Sequence, residues 1–350
     1  MRILLAMNRL FLPQRAGGVE SSVHDIANAL HARGETVSVL SRLNPFDWLG
    51  LGVMAKRALL GGRVRYAKFG RGYHVYRTPM MTRDLPQVLR HARPDVAILQ
   101  GTGRLDLGRL LTELGIPTVL HVRDVEFREA RLSFEPAAVI ANSHFTAERF
   151  KRQFSMAAKV IHNVFDAPSY RVPYSGDRVV FINPVKKKGL DVALALAHHN
   201  PEIFFLFVKG WPQGRQDAAR LAEKVRQYAN VELWPRQHDM RGVYRHARVV
   251  LVPSQWEEAW GRVVSESQVS GIPVLASNRG GIPEALGPGG VLLPPEDLDA
   301  WNDSLRRIWN DAEYRTSLSV AALEYSKRKE LQTDRIIANL LELLHEVCRR

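Results

Sequence analysis

The sequence contains little of what disulfide-linked, membrane-spanning or metal-centred proteins are built from. Cys348 is the only cysteine in 350 residues, so no internal disulfide can form, which suits a reducing compartment. No apolar run approaches the roughly 20 residues that a membrane-spanning helix needs, and Met1–Met7 predicts a first strand rather than a signal peptide. Only Asp297-x-Asp299 has the spacing of a metal site, and it is expected to cap a helix. We therefore expect a cytoplasmic protein without a metal ion or other cofactor.

Positive charge is in excess and unevenly distributed. Of the formal net charge of +13, residues 1–170 contribute 24 Lys/Arg against 14 Asp/Glu, and residues 171–350 contribute 25 against 22. Ten lysines and arginines lie between Lys56 and Arg93, directly after the apolar and aromatic segment Phe46–Met54. An anionic membrane surface or an anionic acceptor suits this combination; the alternative is a basic surface without a partner. No base-reading module accompanies the charge, so nucleic acid is not expected as a partner.

Short apolar runs alternate with helix-length segments, which is typical of parallel α/β architecture. A chain of 350 residues fits two domains better than one. The predicted strands are Ile3–Ala6, Thr36–Leu40, Val96–Leu99, Thr118–Val122, Val139–Ala141, Val160–Ile161, Val179–Ile182, Phe204–Val208, Val231–Leu233, Val249–Val252, Val274–Ala276 and Val291–Leu293. The Pro-, Ser- and Gly-containing stretch 166–177 predicts a linker between a first domain, 1–165, and a second domain, 178–328.

The segment Pro253–Glu266 carries the strongest chemical signal. It follows a predicted buried strand, and Gly261 is expected to open the next helix. Amides at a helix N-terminus attract an anion such as a phosphate, and Glu258 and Glu266 lie on either side of that start. Carboxylates cannot bind a diphosphate, but they accept hydrogen bonds from hydroxyl groups on both sides of one. The pattern favours a nucleotide-sugar over the alternative of a solvated, acidic helix start.

This segment resembles the donor site of the retaining glycosyltransferases of family 4, the glycosyl transferases group 1. That family shows Pro-Ser-x-x-Glu-Gly-Phe-Gly, a second Glu eight positions after the first, then Gly-x-Pro-Val and Gly-Gly-x-Pro-Glu. The matching positions are Pro253-Ser254, Glu258, Gly261, Glu266, Gly271–Val274 and Gly280–Glu284, with Ala259 and Trp260 in place of the Gly and Phe. The resemblance implies the GT-B fold, with two facing Rossmann-like domains and a cleft between them. It further implies an acceptor-binding first domain, a nucleotide-sugar-binding second domain, and a last helix, 329–350, that returns to the first.

The resemblance also implies roles for individual residues. Lys188 would bind the departing diphosphate, Glu258 would orient the transferred sugar, and Glu266 would hold the ribose hydroxyls. His121 corresponds to the histidine that contacts the donor sugar, and together with Lys188 and Glu258 it forms the implied catalytic set. Asn183 stands where the family has a phosphate-binding arginine, so one positive charge is missing there. Further donor contacts are implied for Gly17, Gly18, Asn183, Arg236, Ala259, Trp260, Gly261, Arg262 and Val263.

The implied reaction moves a sugar from a nucleoside-diphosphate sugar to an acceptor hydroxyl, with retention of configuration and without a metal ion. The acceptor would be a sugar, a lipid-linked group or a small molecule, in the synthesis of bacterial surface polysaccharide, glycolipid or natural-product glycosides. Peripheral contact with the inner face of the cytoplasmic membrane is expected from the basic and apolar residues of the first half of the chain. Three alternatives stay open: an epimerase of the same fold, a non-catalytic nucleotide-sugar-binding protein, which Asn183 favours, and a basic nucleic-acid-binding protein.

Overall fold

The chain divides into two compact units. The computed structural model describes residues 1–62, 64, 66–101, 105–127, 129–211 and 214–349. Unit 1 comprises Met1–Phe165 together with Glu330–Arg350, and unit 2 comprises Asp166–Lys329. The end of the chain thus belongs to the same unit as its beginning.

Unit 1 contains an eight-stranded sheet with the order β3-β4-β2-β1-β5-β6-β7-β8. The strands are β1 Arg2–Leu10, β2 Thr36–Arg42, β3 Tyr66–Phe69, β4 Tyr73–Thr78, β5 Val96–Gln100, β6 Thr118–Val122, β7 Ala138–Ala141 and β8 Lys159–Val160. The helices that precede the unit boundary are α1 Gly18–Ala32, α2 Trp48–Leu59, α3 Met81–Ala92, α4 Asp106–Glu113 and α5 His144–Phe154. The pairing of β3 with β4 is antiparallel, and the other recorded pairings in this sheet are parallel.

Unit 2 contains a six-stranded parallel sheet with the order β11-β10-β9-β12-β13-β14. Its strands are β9 Arg178–Ile182, β10 Phe205–Val208, β11 Val231–Trp234, β12 Ala247–Val252, β13 Val274–Ser277 and β14 Gly290–Leu293. Its helices are α6 Leu190–His199, α7 Arg215–Arg226, α8 Arg241–Tyr244, α9 Arg262–Gln268, α10 Ile282–Leu286, α11 Leu298–Asn310 and α12 Ala312–Ser326.

The central strands of unit 1 consist mainly of apolar residues because helices cover both faces of the sheet. Successive side chains of a strand point to opposite faces, and here they enter different cores. Leu5 and Ile98 belong to one core cluster, whereas Leu4 and Leu99 belong to the other. The uninterrupted apolar runs of the sequence are therefore explained by burial on both sides.

The last helix, α13 (Thr333–Arg349), packs into the core of unit 1. Its apolar stripe is buried and consists of Ile336, Ile337, Leu340, Leu343, Leu344 and Val347. Arg33, which follows α1, donates to Asp334 over 2.7 Å and joins the start of α13 to the same unit. The spacing of the buried positions is that of one face of a helix.

The predicted parallel α/β class is confirmed, and each of the twelve predicted strands is present. Asp297 caps α11 by accepting a hydrogen bond from the Ala300 amide, as expected. The hairpin of β3 and β4 was not predicted from the sequence. No helix of the described residues is long and apolar enough to span a bilayer.

The stretch 166–177, predicted as a linker, is packed onto unit 2. The Val172 amide donates to Ser270 Oγ over 2.9 Å, and Tyr174 Oη donates to the Arg248 carbonyl over 2.9 Å. The boundary between the units therefore lies between Phe165 and Asp166, at the start of this stretch.

Candidate functional site

Two neighbouring strand ends of unit 2 bring Lys188 and Glu258 together. Lys188 ends a single 3-10 turn, Lys186–Lys188, that follows β9, and Glu258 lies in the loop after β12. Because β9 and β12 are adjacent and parallel, both loops lie at the carboxyl edge of the sheet, where doubly wound folds bind ligands. A backbone hydrogen bond of 2.9 Å from the Gln255 amide to the Lys187 carbonyl joins the two loops.

Glycines let these loops approach one another closely. Gly189 has a φ of +86°, and a Cβ on it would lie 1.9 Å from the Pro253 carbonyl oxygen. Gly280 has a φ of +60°, and a Cβ there would lie 2.3 Å from the Glu258 carbonyl oxygen. The adjacent Gly281 amide donates to that same carbonyl over 2.7 Å. Only glycine meets both demands, positive φ and backbone contact, at these positions.

The ammonium of Lys188 is held by one carboxylate and two aromatic rings. Its Nζ lies 2.8 Å from Glu258 Oε1, and the two side chains are only 17% and 12% exposed. Ser254 Oγ donates to the same oxygen of Glu258. The Nζ atom also lies 5.4 Å and 5.5 Å from the ring centroids of Trp211 and Trp256. Such contacts fix a positive charge in one place through ion pairing and cation–π attraction.

Glu266 is held on both of its oxygens. It is 7% exposed on α9; its Oε2 accepts from Tyr244 Oη and its Oε1 accepts from Arg262 Nε, both over 2.7 Å. Arg262 Nη2 in turn donates to Tyr170 Oη over 2.9 Å. Burial and the negative charge of Glu266 raise the pKa of Tyr244 well above its usual value, so this phenol remains a hydrogen-bond donor.

The helix that follows Glu258 and contains Glu266 is short. It begins at Arg262, one residue after the predicted start, and ends at Gln268, before the predicted Ser270-Gly271 stop. Gly261 precedes it with a φ of +93° and makes no side-chain cap. Trp260 is buried, and its indole Nε1 donates to Ser265 Oγ over 2.9 Å. The buried Trp260 side chain is therefore hydrogen-bonded to α9. Ala259 and Val263, which lie near it in the sequence, are half-buried.

Asn183 organises a neighbouring loop. It is buried with a φ of +65°, and its Oδ1 accepts from the Trp211 amide over 3.0 Å. The side chain that replaces the family's arginine thus positions the aromatic ring beside Lys188. Arg236 follows β11, the edge strand two places from β9, and is half-buried. Among the described residues, Arg236 is not one of the partners of Lys188 or Glu258 named above.

The predicted site residues of unit 1 lie at its own sheet edge. His121 is 2% exposed near the end of β6, and burial and the nearby Arg123 lower the pKa of its imidazole well below the usual value. Gly17 precedes α1 in an extended conformation that any residue adopts. A Cβ on Gly18 would meet nothing within 4 Å, so local sterics do not require glycine at position 18.

Sequence reasoning assigned no role to four partners of the site: Ser254, Trp211, Tyr244 and Tyr170. Ser254 and Trp211 follow strand ends, which is a signal that could have found them. Tyr244 lies 22 residues before Glu266 and carries no local signal. Among the residues that the structure describes, no group of three histidines, cysteines or carboxylates could hold a metal ion.

Two family models match the chain in succession. The model described as Glycosyltransferase Family 4 matches residues 16–167, and the model described as Glycosyl transferases group 1 matches residues 177–325. Together they account for more than four-fifths of the chain. The second match contains the whole Lys188, Glu258 and Glu266 arrangement.

Curated relatives and solved structures are similar to parts or all of the chain. A D-inositol 3-phosphate glycosyltransferase of Saccharomonospora viridis is 41% identical over 92 residues, 26% of this chain and 21% of that protein. A protein of the same name from Xylanimonas cellulosilytica is 31% identical over 188 residues, 51% of this chain and 44% of that protein. The chain therefore covers less than half the length of these relatives.

Among solved structures, sucrose-phosphate synthase of Thermosynechococcus elongatus superposes with a TM-score of 0.79 at 17% identity, covering 99% of each chain. Anabaena HepE in complex with UDP and glucose superposes with a TM-score of 0.78 at 19% identity, also covering 99% of each chain. These likenesses establish the fold, two Rossmann-like units of the GT-B type. The two family models, which together match more than four-fifths of the chain, show that it belongs to the family 4 glycosyltransferases, the glycosyl transferases group 1.

Proposed function

We propose that this protein transfers a sugar from a nucleoside-diphosphate sugar to an acceptor hydroxyl, with retention of configuration and without a metal ion. The observation that carries the proposal is the arrangement on unit 2 of Lys188 beside Glu258, with Glu266 on the following helix. The names of the relatives, D-inositol 3-phosphate glycosyltransferase, support transfer as the reaction. The complexes of HepE with UDP and with UDP-glucose support a nucleotide-sugar as the donor.

Each of these side chains has a chemical task in the proposed reaction. The Lys188 ammonium stabilises negative charge that grows on the diphosphate as the glycosidic bond breaks. Glu258 and Glu266 accept hydrogen bonds from hydroxyl groups, the first from the transferred sugar and the second from the ribose. Gly17, Gly18, Arg236 and His121 are kept as proposed donor contacts. Unit 2 is accordingly proposed to bind the donor, and unit 1 the acceptor.

Retention is proposed to proceed without a nucleophile supplied by the protein. The bond between the anomeric carbon and the diphosphate oxygen breaks, and the acceptor oxygen bonds to the same face of that carbon. The acceptor proton passes to a diphosphate oxygen. Glu258 is a poor candidate for a nucleophile because Lys188 and Ser254 already occupy one of its oxygens. Double displacement needs two carboxyl groups about 5 Å apart across the reacting carbon, and no such pair is proposed here.

A panel of nucleotide-sugars tests the donor first. Ligand that binds the folded state raises the melting temperature, so we expect one nucleotide-sugar to stabilise the protein and its nucleoside monophosphate to do so less. Transfer to sugar and lipid-linked acceptors should then proceed in the presence of EDTA, and NMR of the product should show the anomeric configuration of the donor. No stabilisation by any nucleotide-sugar would refute the proposal. Stabilisation without turnover would favour a non-catalytic binding protein, and sugar isomerisation without acceptor an epimerase.

A second proposal concerns the surface of α2, which exposes its apolar face. Trp48, Leu51 and Leu59 share one side of this helix and are 77%, 61% and 86% exposed, and Phe46 just before it is 88% exposed. In contrast, Arg57 of the same helix is buried and donates to Asp84 over 2.6 Å. An outward apolar stripe on a basic unit is typical of a helix that lies in an anionic membrane interface. We therefore propose peripheral binding to such a membrane, on its cytoplasmic face, where a lipid-linked acceptor would be available.

Vesicle sedimentation tests the membrane proposal. We expect binding to vesicles that contain phosphatidylserine, weaker binding at high salt, and loss of binding in the double variant Trp48→Ser, Leu59→Ser. Lys68→Gln should weaken binding modestly, by removing about 1 kcal/mol of attraction; Arg63 and Arg65, of the same basic segment, lie outside the described residues. Val320→Ser on α12, which is 58% exposed in unit 2, is the matched control. Absence of binding at low salt would remove the proposal.

A further inference from the structure

A buried arginine joins three polar side chains at the carboxyl edge of the sheet in unit 1. Arg123, one residue after β6, is 7% exposed. Its Nε donates to Gln100 Oε1 over 2.7 Å, its Nη1 donates to Asn163 Oδ1 over 3.1 Å, and its Nη2 lies 3.2 Å from His121 Nδ1. Gln100 and His121 are directly paired across β5 and β6, so their side chains leave the sheet on the same face.

The chemistry of the guanidinium determines where the protons of its neighbours lie. A guanidinium donates hydrogen bonds, accepts none and keeps its charge at any ordinary pH. His121 Nδ1 must therefore accept and cannot carry a proton. A neutral imidazole has one ring proton, which leaves it on Nε2. By the same argument Gln100 Oε1 is the accepting atom, so its Nε2 amino group is the end that remains to donate.

We propose that Arg123 is a positioning residue that fixes His121 as a neutral Nε2–H donor and aligns the Gln100 amide beside it. The Nε2 atoms of His121 and Gln100 are both buried, and neither has a hydrogen-bond partner among the described residues. A buried donor without a partner costs about 1–3 kcal/mol, so the pair binds a ligand that supplies oxygen acceptors. If the proposed function holds, that ligand is a substrate carrying neighbouring hydroxyl groups.

This assignment makes His121 a hydrogen-bond donor and not a proton-transfer group. A second ring proton would place an imidazolium beside the guanidinium of Arg123, at 3.2 Å between nitrogen atoms and away from water. Like charges at such a distance in a buried site are strongly unfavourable. The lowered pKa of His121, caused by burial and by Arg123, agrees with this geometry.

Nitrogen NMR of the histidine rings tests the tautomer directly on the full chain without ligand. The His121 ring signals are assigned by their loss in His121→Gln. In the wild type we expect protonated Nε2 and unprotonated Nδ1, unchanged between pH 8 and pH 5.5. In Arg123→Met, where Nδ1 no longer has to accept a hydrogen bond from the guanidinium, we expect a mixture of tautomers. Wild-type protonation at Nδ1, or an unchanged single tautomer in folded Arg123→Met, would overturn the proposal.

Two further measurements keep the test decisive. If Arg123→Met does not fold, Arg123→Lys provides the answer, because a compact ammonium lacks the planar fork with which the guanidinium contacts all three partners at once. That variant should release either His121 or Gln100, seen as a changed ring or amide spectrum, and an unchanged spectrum of both side chains would contradict the proposal. With a donor identified, Arg123→Met should raise its KM about tenfold, and Arg109→Met, on the exposed face of α4, should not. The tautomer is measured without substrate, so its test is independent of the proposed function. The proposal for Arg123 can be confirmed even if no sugar transfer is observed, and it can be refuted even if transfer is observed.

Discussion

The ammonium of Lys188 can donate three hydrogen bonds to neighbouring groups. One direction is taken by Glu258, and the two tryptophan rings hold the charge from the side. We expect Lys188→Ala to lower kcat by about 10²–10³-fold, as does loss of one preorganised donor to a developing anion. Steady-state kinetics with the identified donor measure this change. Lys187→Ala, which removes a neighbouring ammonium placed over Trp256, is the control and should change kcat little. Equal rates in both variants would refute the role of Lys188.

Glu266 depends on its donors for orientation. Tyr244→Phe removes the hydroxyl that donates to Oε2 and leaves the carboxylate with less support in a buried site. A hydrogen bond to a charged group contributes about 1.5–3 kcal/mol, so the donor KM should rise by roughly 10–100-fold. Glu266→Ala should raise it at least as much, while kcat changes less. Tyr228→Phe, in a half-buried tyrosine after α7, serves as the control. A KM that responds to neither Tyr244→Phe nor Glu266→Ala would contradict ribose binding by Glu266.

The lowered pKa of His121 has a consequence for stability against acid. In the unfolded chain a histidine binds a proton near pH 6.5, whereas in the folded protein His121 resists protonation well below that pH. The unfolded state then holds more protons, so the free energy of unfolding falls as pH drops below about 6.5, by up to ~1.4 kcal/mol per pH unit. Urea unfolding at pH 7.5 and pH 5.5 measures this loss. His121→Gln should show a smaller loss than the wild type, and an equal loss would contradict the assignment.

Among the elements, the loop that carries Glu258 is supported by the glycine pair before α10. Ala at position 280 would keep the unfavourable positive φ and place its Cβ against the Glu258 backbone. We expect Gly280→Ala to destabilise unit 2 by at least about 1 kcal/mol and to lower kcat/KM, because the loop must move. Gly242→Ala, on α8 with no atom within 4 Å of the new Cβ, is the control and should be neutral or stabilising. Thermal unfolding and kinetics measure both, and unaltered kcat/KM in Gly280→Ala would contradict the support.

The sequence predicted the strands that are buried on both faces, because such strands produce continuous apolar runs in the sequence. Strands such as β6 and β12 contain apolar runs because both of their faces are covered, and such runs are visible by inspection. The β3–β4 hairpin escaped notice since β3, Tyr66–Phe69, is largely exposed at the sheet edge and β4 contains His74 and Arg77. Edge strands need no continuous apolar run, so their positions are fixed by pairing and not by pattern.

The candidate site was predictable for residues that follow strand ends and for Glu266, which lies in the short helix after the Glu258 loop. Lys188 and Glu258 belong to loops whose positions are fixed by adjacent parallel strands, so their proximity could be inferred. The hydrogen bond between Tyr244 and Glu266 joins residues 22 positions apart, and the one between Arg262 and Tyr170 joins residues 92 positions apart. Such contacts arise from packing between elements, and no local spacing in the sequence predicts them. The partner of Asn183, the Trp211 amide, was hidden for the same reason.

In the whole molecule, the chain leaves unit 1 at Phe165 and returns to it at Glu330. One of the two core clusters of unit 1 includes side chains of α13, whereas the cluster of unit 2 consists of residues between Val179 and Leu318. Each unit therefore has a core of its own, and a cavity in one core should loosen that unit first. Leu344 on α13 and Leu305 on α11 are both fully buried, one in each core, so they form a matched pair for this test.

We expect Leu344→Ala and Leu305→Ala each to cost about 2–5 kcal/mol, because a buried cavity adds to the lost transfer energy. Hydrogen exchange should show the difference in location. Leu344→Ala should speed exchange in β1, β5 and α1, which share its core, and leave β9 and β12 protected; Leu305→Ala should do the reverse. Donor binding to unit 2 should survive Leu344→Ala at temperatures below its transition. If Leu344→Ala instead exposed both sheets equally, the two units would unfold as one, and the terminal helix would stabilise the entire molecule and not unit 1 alone.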